Sequence, residues 1–212
     1  IAKQIKLNSG KGGPSWSLAG PGNIGGRINS IVIHPTNDSI IYAGNAAGGI
    51  FKTTDAGNSW IPIFDDFSYL SIGDITFEPG NPDVLYAGTG DPKATGSSFL
   101  GDGVYKTTDA GNTWSHLGLD SVGAVSEIII DPQNTNVIYV ATLGNIFTTN
   151  NDRGIYKSTD GGNTWNNILF ISDDSGICEL IMDHTDPQTL YATGWNRVRN
   201  NNGSTVYGQA AK

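Results

Sequence analysis

The sequence predicts an all-β fold assembled from four-stranded antiparallel units, and three observations predict it. One segment recurs: Gly49-Ile-Phe-Lys-Thr-Thr-Asp-Ala-Gly-Asn-Ser-Trp60 returns at Gly103–Trp114 and again at Gly154–Trp165. Its aspartates, Asp55, Asp109 and Asp160, stand 54 and 51 residues apart. No long stretch carries the apolar spacing of a helix, whereas short apolar runs alternate with turn residues throughout. Glycine contributes 29 of 212 residues, about twice the usual share, which favours many tight turns. A four-stranded unit repeating every ~50 residues is the signature of a β-propeller blade.

Upstream of each recurring segment lies a second shared pattern, an apolar strand, a turn and a short strand ending in small residues. It occurs at Ile28–Tyr42, Ile72–Tyr86, Val125–Tyr139 and Ile177–Tyr191. Blades are therefore expected over residues 25–68, 69–121 and 122–174, with an incomplete fourth over 175–212. In the second unit the strands read as Ile72–Glu78, Val84–Gly88, Gly103–Thr107 and Trp114–Leu117, with turn residues at every junction. The first strands are apolar on both faces (Ile31-Val32-Ile33, Ile128-Ile129-Ile130, Leu180-Ile181-Met182), as strands between neighbouring sheets must be. Within residues 1–24, Ser15-Trp16-Ser-Leu18 reads as the fourth strand of another blade, a device that closes a ring and hides a sheet edge. About three and a half blades are expected, part of a larger six- to eight-bladed ring completed by a longer chain or a second copy.

In the recurring segment, Asp55, Asp109 and Asp160 can accept N–H bonds within their own turns. Gly57, Gly111 and Gly162 can take the positive φ such a turn needs. Trp60, Trp114 and Trp165 start the outer strand and bury their rings between sheets. The pattern [Ser/Thr]-x-Asp-x-Gly-x-[Ser/Thr]-Trp resembles the Asp-box, or bacterial neuraminidase repeat. That resemblance implies a propeller of the kind found in sialidases, xyloglucanase-type glycoside hydrolases, sortilin-type receptors and a photosystem II assembly factor. It identifies architecture rather than activity.

Twelve basic against twenty acidic side chains give a net charge of −8. A basic footprint for nucleic acid is absent, and no apolar run approaches the ~18 residues of a membrane-spanning helix. The single cysteine, Cys178, excludes an internal disulfide and multi-cysteine metal sites, and reads as a small buried hydrophobe. An acidic, Asn/Gly/Thr-rich β-protein without disulfides suits a secreted or cell-surface bacterial setting.

Two long connections between second and third strands, Thr89–Asp102 and Leu143–Arg153, share one face of the expected propeller. They place Phe99, Asp102 and Arg153 as binding candidates, since loops on a rigid scaffold carry function. Asp74, Glu127 and Glu179 occupy one repeat-equivalent position of the first strands, with Ser30 there in the first unit. These carboxylates are expected near the channel mouth. There they can bind a cation, hydrogen-bond sugar hydroxyls or raise one another's pKa, unless they simply form a solvated wall. Arg27 can clamp a ligand carboxylate or pair with Asp74. Asp65-Asp66 and Asp173-Asp174 are oxygen-rich loop pairs and weak Ca²⁺ candidates; no other cofactor is implied.

The sialidase Arg-Ile-Pro signature is missing, since Arg27-Ile28 is followed by Asn29. Tyr42-Ala-Gly-Asn-Ala-Ala-Gly-Gly49 is similar to the xyloglucanase-type Tyr-Ala-Arg-Thr-Asp-x-Gly-Gly segment, but Ala46 stands where that resemblance implies a catalytic aspartate. The expectation is a non-catalytic propeller contacting glycans or protein partners. The alternative is a glycoside hydrolase with part of its active site beyond residue 212, for which Asp74, Asp91 and Glu127 are the catalytic candidates.

Overall fold

The structure, a computed structural model, describes residues 26–93 and 98–199 and the backbone of a strand over 205–210. The Trp16 segment expected to close a ring lies outside these residues. Fifteen strands form four sheets, each a meander in which chain neighbours pair antiparallel. The first holds β1 (Ile28–Ile33), β2 (Ile41–Asn45), β3 (Ile50–Thr53) and β4 (Ile61–Pro62). The second holds β5 (Ile72–Glu78), β6 (Asn81–Thr89), β7 (Val104–Thr107) and β8 (Ser115–His116). The third holds β9 (Val125–Ile130), β10 (Ile138–Thr142), β11 (Gly154–Ser158) and β12 (Asn166–Leu169). In the fourth, β13 (Ser175–Met182), β14 (Leu190–Arg199) and β15 (Thr205–Ala210) are described. The described residues contain no helix. This is the architecture of a partial β-propeller.

Sheets stack in chain order. Ile50, Phe64, Ile72, Ile75 and Tyr105 fill the first seam, Tyr86, Val104, Val125 and Val140 the second, and Tyr139, Ile155, Ile177 and Leu180 the third. Burial of these side chains is the main stabilising term, at about 1.5–3 kcal/mol each. The first sheet departs from the expectation that first strands are covered on both sides. Ile31 and Ile33 are 61% and 55% exposed. Ile75, the equivalent of Ile31, reaches back to Gly44 of the preceding sheet, and among the described residues β1 has no preceding sheet to reach.

Each first strand carries a β-bulge, at Asn29, Gly73, Ser126 and Cys178. The bulged residue addresses the next sheet. Asn29 Nδ2 donates to the Ile72 carbonyl at 2.8 Å, and Ser126 Oγ donates to the equivalent Ile177 carbonyl at 2.6 Å. Gly73 meets the corresponding Val125 carbonyl directly, since a Cβ there would lie 1.9 Å from that oxygen. Side chain and bare backbone thus solve the same seam in two ways.

The three aspartate turns are superimposable in their bonding. In each, Thr53, Thr107 or Ser158 donates its hydroxyl to the aspartate, and the residue four positions on donates both N–H and hydroxyl, all at 2.6–2.9 Å. These bonds hold all three carboxyls down at about 2. Gly57, Gly111 and Gly162 take φ of 87–95°. The indoles of Trp114 and Trp165 donate to the Ile63 and Leu117 carbonyls of the preceding sheets, at 3.0 and 2.9 Å. The aspartates therefore fold turns that carry tryptophans into the seams.

Candidate functional site

The face opposite the aspartate turns gathers the ends of the first strands and the two long connections. Asp91, just past β6, is fully buried there and forms an ion pair with Arg27 of the first sheet. It also accepts from Asn29 Nδ2 (3.2 Å), Ser98 Oγ (2.7 Å) and the Lys93 N–H (3.1 Å). Arg27 therefore pairs with Asp91, not Asp74, and the pair joins two sheets and anchors a loop. Its carboxylate is enclosed by these donors and does not open onto the face, which removes the geometry a catalytic role requires.

Asp74 is likewise built into a seam. Ser30 Oγ donates to it at 3.0 Å, and its second oxygen accepts the Ile128 N–H of the third sheet at 2.9 Å. Burial outweighs these bonds and pushes Asp74 up to about 6. Glu127, the next equivalent, makes no such bond to the fourth sheet among the described residues. Burial, then the charges of Asp74 and Glu179, push Glu127 up to about 7, with Lys93 opposing. The expected carboxylate ring is thus divided. Asp74 clamps three sheets, while the Glu127 carboxyl stays half-buried beside exposed Glu179. Glu127 is protonated near neutrality and free of structural bonds, so it is the described group able to hand over a proton.

Other candidates take structural roles. Arg153 is fully buried and donates to the carbonyls of Asn145, Thr148 and Asp174 at 2.9–3.3 Å. It holds its loop from within and cannot meet a ligand; burial lowers its pKa. Asp102 receives the Tyr105 hydroxyl at 2.7 Å and the Thr89 hydroxyl at 3.2 Å, closing the base of the Thr89–Asp102 connection. Phe99 stands exposed on the face, and Phe147 lies under the Arg199 guanidinium at 5.9 Å. Asp65, Asp66 and Asp173 are exposed, and Asp174 accepts from Ser172 Oγ. No group of three His, Cys, Asp or Glu side chains gathers among the described residues, so the two acidic pairs are not brought together. Cys178 packs half-buried beside Leu143 and Ile146.

Sequence reasoning missed Asn29, Ser98 and Lys93. The first had a usable signal. The residues before Ser30, Asp74, Glu127 and Glu179 are Asn29, Gly73, Ser126 and Cys178, all small, as a crowded bulge requires.

No family model matches the chain. It is similar to a xyloglucanase of Hypocrea jecorina, 28% identical over 84% of this chain and 24% of that protein. A xyloglucanase of Acetivibrio thermocellus is 28% identical over 72% of this chain and 19% of its own length. A photosystem II assembly lipoprotein of a Synechococcus strain is 31% identical over 48% of this chain and 27% of that protein. Among solved structures, an ancestral GH74 enzyme matches with TM-score 0.64 at 24% identity, covering 80% of this chain and 22% of that one. The GH74 enzyme of Niastella koreensis matches with TM-score 0.55 at 28% identity, covering 72% and 24%. The chain spans about a quarter or less of the length of the xyloglucanases it matches. These likenesses support a propeller related to glycoside hydrolases. They back the hydrolase alternative better than the non-catalytic reading.

Proposed function

We propose that this chain is part of a polysaccharide-directed propeller of glycoside-hydrolase type, with a xyloglucan-like β-glucan as substrate. The observation that carries the reading is the similarity to xyloglucanases over 72–84% of the chain. The recurring aspartate turns agree with an Asp-box propeller, and the acidic, disulfide-free composition agrees with a secreted or cell-surface protein. Glycosidic cleavage needs an acid and a second carboxylate flanking the bond. Glu127 is the acid this segment offers, and the second group lies in the rest of the protein.

One observation favours a second reading, a propeller that binds glycan without cleaving it. Ala46, a buried methyl group, stands where the xyloglucanase-type segment holds a carboxylate. Reducing-sugar release from xyloglucan by the intact protein, compared with Glu127→Gln, separates the two. Release that falls by about a hundredfold or more in the variant supports Glu127 as the acid. Binding without release selects the second reading, and release untouched by Glu127→Gln removes Glu127 from the mechanism.

A further inference from the structure

A cleft of about 330 Å³ opens between the first two sheets, with Ala47 as floor and Ser68, Tyr69, Leu70, Phe99 and Leu100 as walls. Its volume matches the small end of ligand sites. Two of its walls are large aromatics held toward solvent, Phe99 at 54% and Tyr69 at 44% exposure. The core does not need them. Phe64 and Phe67 of the same connection stack at 4.5 Å and pack on Tyr105 at 5.1 and 4.9 Å, filling that seam.

The walls are fixed by main-chain bonds. The Gly49 N–H donates to the Leu70 carbonyl and the Gly90 N–H to the Ser71 carbonyl, each at 2.7 Å, while the Asp91 N–H donates to the Phe99 carbonyl at 2.9 Å. Ser71 Oγ ties the floor by donating to the Ala46 carbonyl at 2.7 Å. A ligand therefore meets a preformed cleft, and little ordering opposes binding.

Its chemistry is mixed in a particular way. Tyr69, Phe99, Leu70 and Leu100 offer apolar faces, while the hydroxyls of Ser68 and Tyr69 have no hydrogen-bond partner among the described residues. No cationic side chain lines the cleft, and Asp65 and Asp66 stand exposed on the same connection. An anion is disfavoured there. A neutral ring with one C–H face and a rim of hydroxyls satisfies both kinds of wall. We propose that the Tyr69–Phe99 cleft is a subsite for one pyranose ring of a neutral glycan. This rests on the polysaccharide reading above, and it lies apart from Glu127.

The test is isothermal titration of the intact protein with cellotetraose and with a xyloglucan heptasaccharide. Tyr69→Ala and Phe99→Ala each weaken binding by roughly tenfold, the loss expected for a ring-stacking contact. Phe99→Trp, which keeps an aromatic wall, retains it. Ala47→Arg, which fills the floor without removing an aromatic, reproduces the loss and guards against an effect through folding. Wild-type affinity in both alanine variants and in Ala47→Arg overturns the subsite and leaves the polysaccharide reading standing. A wild-type protein that binds neither oligosaccharide overturns both.

Discussion

Replacing Asp74 by asparagine should change how stability depends on pH, and the size of the change follows from the seam. The Asp74 carboxyl bridges Ser30 of the first sheet and the Ile128 N–H of the third. Its enclosure raises the pKa from 3.8 to about 6. A folded value above the unfolded one means that the group favours the fold most below pH 4. That contribution is lost as the pH rises through about 6. The difference corresponds to about 3 kcal/mol between pH 4 and pH 8. Asparagine keeps an acceptor for Ile128 and has no charge to bury. The intact Asp74→Asn protein should therefore match the wild type near pH 4 and surpass it at pH 8 by up to about 3 kcal/mol. Asp55, Asp109 and Asp160, held near 2, shift stability in the opposite sense. Their window lies below pH 4, so the two effects separate. Urea unfolding of both proteins from pH 4 to pH 8 reads the difference. A gap that stays constant across that range, or that opens toward acid, refutes the reasoning.

Further perturbations probe other joints. Gly73→Ala drives a methyl group into the Val125 carbonyl and should cost about 3 kcal/mol or more, seen as a lower urea midpoint; a shift no larger than that of a surface alanine contradicts the close seam. Arg27→Met leaves Asp91 buried without its cation and should cost about 3–5 kcal/mol, most of it recovered in the double variant Arg27→Met/Asp91→Leu. Equal losses in single and double variants would show that the pair is not coupled. Ala110 takes a φ of 57° where the third turn has Gly161 at 73°. Ala110→Gly should stabilise by about 1 kcal/mol and Gly161→Ala should destabilise by a similar amount; thermal shifts of one sign in both variants contradict the turn geometry.

Much of the fold was legible because the repeat writes it several times over. Three copies of one turn gave three aspartates with the same bonds, and the four strand-turn-strand patterns became the inner pairs of four sheets. The site was less legible, for a physical reason. Asp74 and Glu127 are equivalent in sequence, yet a bulge aims each at the next sheet, and the side-chain length decides the outcome. The shorter Asp74 carboxylate meets the Ile128 N–H, whereas Glu127 has no such bond among the described residues. Arg153 reads as a loop cation offered to a ligand, and only the folding of residues 145–148 and 174 around it reveals three backbone carbonyls waiting for its donors. Asp91 differs from an exposed loop acid only through Arg27, 64 positions earlier. Local pattern carries the strands and turns, while long-range pairing decides which charged groups remain available.

The most direct test of the polysaccharide reading is affinity electrophoresis of the intact native protein through gels with and without xyloglucan. The account predicts retardation that grows with xyloglucan concentration and is absent in gels containing an unrelated charged polysaccharide. Equal mobility in all gels would contradict it.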